Sequence, residues 1–183
     1  MKKLFKAGFL LLFLYHSATA QSTAEKIEQV IRVYADQQLF NGAVLVAEKG
    51  KVLYKRGFGL ANMEWNIPNN TQTKFRIGSV SKQFTSMLIM QLAQEGKINL
   101  QANITTYLPH YRKETGDKVT IHHLLTHSSG IPNYTDDRNF FRHVSRVHYS
   151  VPDFVRLYCS GELEFDPGSR FNYSNSGYFI LGA

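Results

Sequence analysis

The apolar positions change period several times along the chain, and each change marks an element. After Ser22 they recur as Ile27, Val30, Ile31, Tyr34 and Leu39, the one-sided stripe of a helix. Ser22 and Glu25 form an S-x-x-E capping box at its start. This helix is expected to run to about Leu39, with Asn41-Gly42 ending it. Ala43 to Glu48 and Lys51 to Phe58 read as two strands joined at Lys49-Gly50, a β-hairpin. Leu60 to Thr73 has no clear period, carries the breaker Pro68-Asn69-Asn70, and is expected to be loop.

A long helix is predicted from Ser79 to Glu95, stopped by Gly96. Leu88, Ile89 and Met90 are consecutive, so it is apolar on more than one face and is expected to be buried. Lys97 to Pro109 reads as a connector with one helical turn. Thr120 is the cap of a short helix through His127, ended by Ser128-Ser129-Gly130 with Pro132 beyond. A further helix is predicted from about Pro152 to Cys159, with Ser150 as its cap. The turn Asp166-Pro167-Gly168 leads through Phe171 to Asn175, where a last helical run begins. The chain has no internal repeat, low-complexity tract or long linker.

With 183 residues, 43% of them hydrophobic and 19% charged, the chain can bury a core as one globular domain, and a disordered polymer is excluded. Three of its 21 basic residues, Lys2, Lys3 and Lys6, lie in the first twenty, which contain no acid; the other 18 face 14 acidic ones. No basic tract is interleaved with aromatics, so nucleic-acid binding has little support. Residues 1–20 have leading lysines, a short apolar run from Gly8 to Tyr15 and an Ala18-Thr19-Ala20 cleavage pattern, so they read as a secretory signal. The run is too short to span a bilayer and no cysteine lies near the cut, so no stable membrane anchor is expected. A periplasmic or secreted bacterial protein, with its domain over 21–183, follows. Cys159 is the only cysteine and lies among Phe154, Val155 and Leu157, which predicts a buried, inert thiol.

Candidate chemistry gathers at Arg76-Ile77-Gly78-Ser79-Val80-Ser81-Lys82-Gln83-Phe84. Positions i and i+3 share a helix face, so the Ser79 hydroxyl and the Lys82 amine can meet. A serine hydroxyl is a poor nucleophile until a neighbouring base takes its proton. A helix N-terminus also favours negative charge developing beside it. Taken alone, S-x-x-K equally describes a surface serine with a solvated lysine. The second group is Tyr173-Ser174-Asn175: in extended backbone, i and i+2 point the same way, so a phenol and an amide would face one site. A phenol beside an ammonium loses its proton more readily and can serve as general base or acid, while the amide can donate to a substrate carbonyl or steady the lysine. Taken alone, this group better describes a loop with one packed aromatic and a local turn asparagine.

These two groups, with Leu124-Leu125-Thr126-His127-Ser128-Ser129-Gly130-Ile131-Pro132 between them, resemble the serine β-lactamase and penicillin-binding-protein superfamily. The branch most similar is the class C β-lactamase-like group, which also holds D-alanyl-D-alanine peptidases and esterases. The resemblance covers about Phe40 to the last residue and includes Gly96-Lys97-Ile98 and Pro167-Gly168. It implies an α+β, β-lactamase/transpeptidase-like fold: a helical region plus the N-terminal β-hairpin of an antiparallel sheet that is otherwise missing. It implies Ser79 as acylated nucleophile, Lys82 as its proton-accepting partner, Tyr173 as second base and acid, and Asn175 as substrate-side amide. It leaves open whether Lys82 or Tyr173 takes the first proton. The implied substrate is a β-lactam, a D-Ala-D-Ala (peptidoglycan) peptide or a small ester or amide, with no cofactor.

The family's third motif, a K/H-[ST]-G, does not occur after Asn175. The chain therefore reads as a form truncated at its C-terminus and expected to lack useful hydrolase activity. The alternative is a binding or sensor protein of the same fold that acylates slowly or not at all. His123 and His127 have the i, i+4 spacing of a zinc pair, but no third ligand is evident and no metal site is expected. Phe140 and Phe141 either line the cleft or pack.

Overall fold

The structure is a computed structural model that describes residues 21–183, so the expected signal over 1–20 lies outside the described residues. The chain divides into two compact units, one up to Arg76 and one from Ile77 to Ala183.

In the first unit, α1 spans Thr23–Asp36 and opens on the expected capping box: Glu25 N–H donates to Ser22 Oγ at 3.3 Å, and the Ser22 N–H donates to the Glu25 carboxylate at 2.7 Å. It stops before Leu39 because Gln38 turns left-handed (φ 59°) and Leu39 N–H returns to the Tyr34 carbonyl at 2.8 Å, closing a Schellman turn. Strands β1 (Gly42–Glu48) and β2 (Lys51–Phe58) pair antiparallel. Their two-residue loop has Lys49 at φ 48° and Gly50 at φ 77°, the type I′ geometry that matches strand twist. Glu28 of α1 pairs with Arg32 at 2.8 Å and with Arg56 of β2. The stretch expected to be loop contains a small ribbon, β3 (Leu60–Asn62) and β4 (Ile67–Pro68). Its tight turn is made by Asn62 Oδ1 accepting the Trp65 N–H at 2.8 Å and by Asn66 at φ 50°, contacts that carry no hydrophobic period.

The second unit is helical. A single 3₁₀ turn over Gly78–Val80 runs into α2 (Ser81–Gln94), which Gly96 closes. Then come α3 (Ile104–Tyr107), α4 (Lys113–Gly116), α5 (Ile121–Leu125), α6 (Val151–Tyr158) and α7 (Asn175–Leu181). Thr120, Ser150 and Ser174 cap α5, α6 and α7 through their hydroxyls. The core joins Ile104, Val119, Leu124, Ile131, Phe154 and Ile180. Phe140 packs into it, whereas Phe141 is exposed. Cys159 is fully buried, and burial pushes its thiol up to about 12.

Helix α2 departs from expectation. Of its residues only Ile89 is buried, while Phe84, Met87, Leu88 and Met90 are 48–69% exposed. A sequence shows how wide an apolar surface is, but not which partner covers it.

Candidate active site

The site is built where the start of α2 meets the start of α7. Ser79 sits in the 3₁₀ turn and Lys82 in the first turn of α2, and helical geometry brings Lys82 Nζ to donate to Ser79 Oγ at 3.2 Å. On the other side, Ser79 Oγ and Tyr173 Oη lie 2.6 Å apart. Lys82 Nζ also donates to Asn175 Oδ1 at 2.6 Å, a short charge-assisted bond. It stands 4.8 Å from the centre of the Tyr173 ring and 5.5 Å from that of Tyr178, within cation–π range of both. All four residues singled out in the sequence thus meet around one ammonium.

Tyr173 arrives from 94 positions away in the chain, carried by a run of bonds between two backbone segments. The carbonyls of His127, Ser128 and Gly130 accept the N–H groups of Asn172, Gly168 and Glu164 at 2.7 to 2.8 Å. Gly130 is required there: its φ is 76°, and a Cβ would lie 2.3 Å from the Phe165 carbonyl oxygen. Further along, the Pro132 carbonyl accepts the Ser176 hydroxyl at 2.6 Å, and Asn133 Oδ1 accepts the Asn175 N–H at 2.9 Å. Thr135 Oγ1 accepts the Asn175 side-chain amide at 2.9 Å. That last bond fixes the amide with its oxygen toward Lys82, so Asn175 steadies the lysine, and its N–H₂ is engaged by Thr135.

Electrostatics separate the groups. Burial acts to raise the Tyr173 phenol, but the hydrogen bonds and charge of Lys82, with the bond from Ser79, outweigh it and hold the phenol below its ordinary range. Burial first, then the Lys82 charge, hold His127 below the ordinary imidazole value.

His127 is not on the helix with His123. Helix α5 ends at Leu125, and His127 takes the left-handed position (φ 55°) of a Schellman turn: Ser128 N–H reaches the His123 carbonyl at 2.9 Å and His127 N–H the Leu124 carbonyl at 3.3 Å. Its ring lies on Tyr173, while His123 Nδ1 accepts the Thr120 N–H at 3.2 Å in the capping box. The i, i+4 zinc spacing is therefore not a shared helix face. Asn133, Thr135 and Tyr178, which surround Lys82 and Asn175, carry no spacing that would have singled them out.

A helical region in which a serine opens a helix, with a lysine one turn on and a tyrosine opposite, defines the β-lactamase/transpeptidase-like class of serine hydrolases. The chain belongs to the beta-lactamase family, whose model matches residues 27–183. It is similar to penicillin-binding protein 4* of Bacillus subtilis (strain 168), 32% identical over 164 residues covering 88% of this chain and 35% of that protein. It is similar to esterase EstB of Burkholderia gladioli, 31% identical over 180 residues covering 91% and 46%. The crystal structure of a penicillin-binding protein from Bacillus halodurans superposes with a TM-score of 0.70 at 32% identity, over 84% of this chain and 46% of that one. The chain spans about a third to just under half the length of the curated relatives it matches.

Proposed function

We propose that the protein is an exported serine hydrolase that works through an acyl-enzyme on Ser79, taking a β-lactam, a D-Ala-D-Ala peptide or a small ester or amide. The observation that carries this reading is the pair of contacts on one hydroxyl, 2.6 Å from Tyr173 Oη and 3.2 Å from Lys82 Nζ. Lys82 meets Ser79 as a donor and the phenol is held low, so in this reading Tyr173 takes the Ser79 proton, with the two coupled through Lys82. Ser79 Oγ then bonds to the substrate carbonyl carbon, and the Ser79 N–H at the helix start receives the oxyanion. The bond to the leaving group breaks as Tyr173 returns its proton, and water hydrolyses the ester to free Ser79. Names among the relatives, a penicillin-binding protein and an esterase, support the β-lactam and the ester among these classes.

The test uses the full-length protein with a fluorescent penicillin and an activated ester. Label on Ser79 by mass spectrometry, followed by release, is expected; Ser79→Ala labelled at the wild-type rate sinks the reading. Stable label without release favours the sensor-type alternative, which the penicillin-binding relatives keep in view. Because this chain covers only 46% and 35% of those relatives, a polypeptide of these 183 residues alone is expected to show no useful turnover. Export predicts a mature N-terminus at Gln21, read by N-terminal sequencing.

A further inference from the structure

His127 stands outside the reacting groups but against them. Its ring centre is 4.5 Å from that of Tyr173 and 4.9 Å from that of Tyr178, tilted 32° to each, so the imidazole contacts both phenol rings. Phe171 meets it edge-on at 5.8 Å. Nδ1 accepts the Ser174 N–H at 3.1 Å, and the His127 carbonyl accepts the Asn172 N–H at 2.7 Å. One residue thus holds the chain on both sides of Tyr173 and packs on the Tyr173 ring itself. It does so from a left-handed backbone, a position in helix-ending turns where glycine is the easy choice. Side chains persist in such conformations where the surroundings over-determine them, and these cluster at functional sites.

We infer that His127 is a positioning residue for Tyr173, a neutral imidazole that clamps the phenol onto Ser79 and loosens when protonated. The inference rests on the serine-hydrolase reading and adds a residue to it. An N–H aimed at Nδ1 needs a lone pair there, so the ring is the Nε2–H tautomer. Protonation would set N–H against N–H and bring a second positive charge toward Lys82. The ionisable groups facing the ring are Lys82 from α2 and Tyr173 and Tyr178 from the 171–178 segment. An imidazole held below its ordinary value stabilises the folded site fully above that value, and the contribution is lost as pH falls through the lowered one. An acid limb in the pH–rate profile follows.

The test pairs two variants of the full-length protein, each keeping half of the clamp. His127→Asn keeps an acceptor near Nδ1 and tolerates the left-handed backbone, but drops the ring. His127→Phe keeps the ring and drops the acceptor. Both are expected to lower kcat roughly ten- to a hundredfold with KM little changed, as misplacing a reacting group does, and both should lose the limb that His127 contributes at lower pH while keeping the rise that belongs to Tyr173. Tyr173 labelled with ¹³C at Cζ should titrate at a changed pH in both variants. If kcat, acid limb and Tyr173 titration are all unmoved, the inference is overturned. Should His127→Phe fail to fold, His127→Asn decides alone. The two readings fail separately: unaltered labelling of Ser79→Ala removes the hydrolase reading, whereas an unmoved Tyr173 titration removes the role of His127.

Discussion

Tyr173 shows how opposing effects set the behaviour of a single residue. Burial pushes its phenol up, and the bonds and charge from Lys82 and Ser79 bring it down past the starting point. The phenolate is therefore reached at a lower pH than in a free tyrosine. In the full-length protein, kcat/KM should rise with pH to a half-point below the ordinary phenol value of about 10. Tyr173→Phe, which keeps the ring and drops the oxygen, should abolish that rise and cost about 10²- to 10⁴-fold in rate. A rise that survives the substitution would remove Tyr173 from the reaction. At this scale the meeting of Ser79 and Lys82 was legible, because three residues of helix determine it. The orientation of the Asn175 amide was not: Thr135 determines it from 40 positions away.

Elements with a local cause were legible to within a few residues. The Ser22–Glu25 box, the Lys49-Gly50 turn, the Thr120 and Ser150 caps and the Gly96 stop each act through neighbours in the chain. Elements held by distant backbone were less so. The segment 127–135 lies along 164–176 and delivers Tyr173, yet neither stretch has a period that shows the pairing. Gly130 lets the two segments approach closely. Gly130→Ala meets both the left-handed φ of 76° and the Phe165 carbonyl, and should cost about 2 kcal/mol or more in urea unfolding. Ser79 labelling should fall with it as Tyr173 shifts. Wild-type stability in that variant would mean the two segments are not locked at this point.

At the scale of the molecule, the apolar stripe of α2 has the largest consequence for behaviour in solution. Phe84, Met87, Leu88 and Met90 face solvent, a group larger than the scattered apolar residues usual on a folded surface. The 183-residue polypeptide is expected to bind an environment-sensitive dye such as ANS and to self-associate in analytical ultracentrifugation. Leu88→Glu with Met87→Glu should reduce both, and a monodisperse, dye-silent wild-type polypeptide would contradict this. The expectation of a buried α2 failed here for a physical reason: apolar width is a property of the sequence, whereas burial is a property of what lies against it.

The amino-acid sequence by itself determined the local elements and the contact between Ser79 and Lys82, since each depends on residues within a turn or a few positions of one another, and it carried the family resemblance in short motifs read in order along the chain. Tertiary structure alone decided that Tyr173 reaches within 2.6 Å of Ser79, that His127 leaves its helix to lie on that tyrosine, and that Thr135 turns Asn175 toward Lys82. Those contacts depend on hydrogen bonds between backbone segments far apart in the chain, and no spacing along the sequence encodes which segments meet.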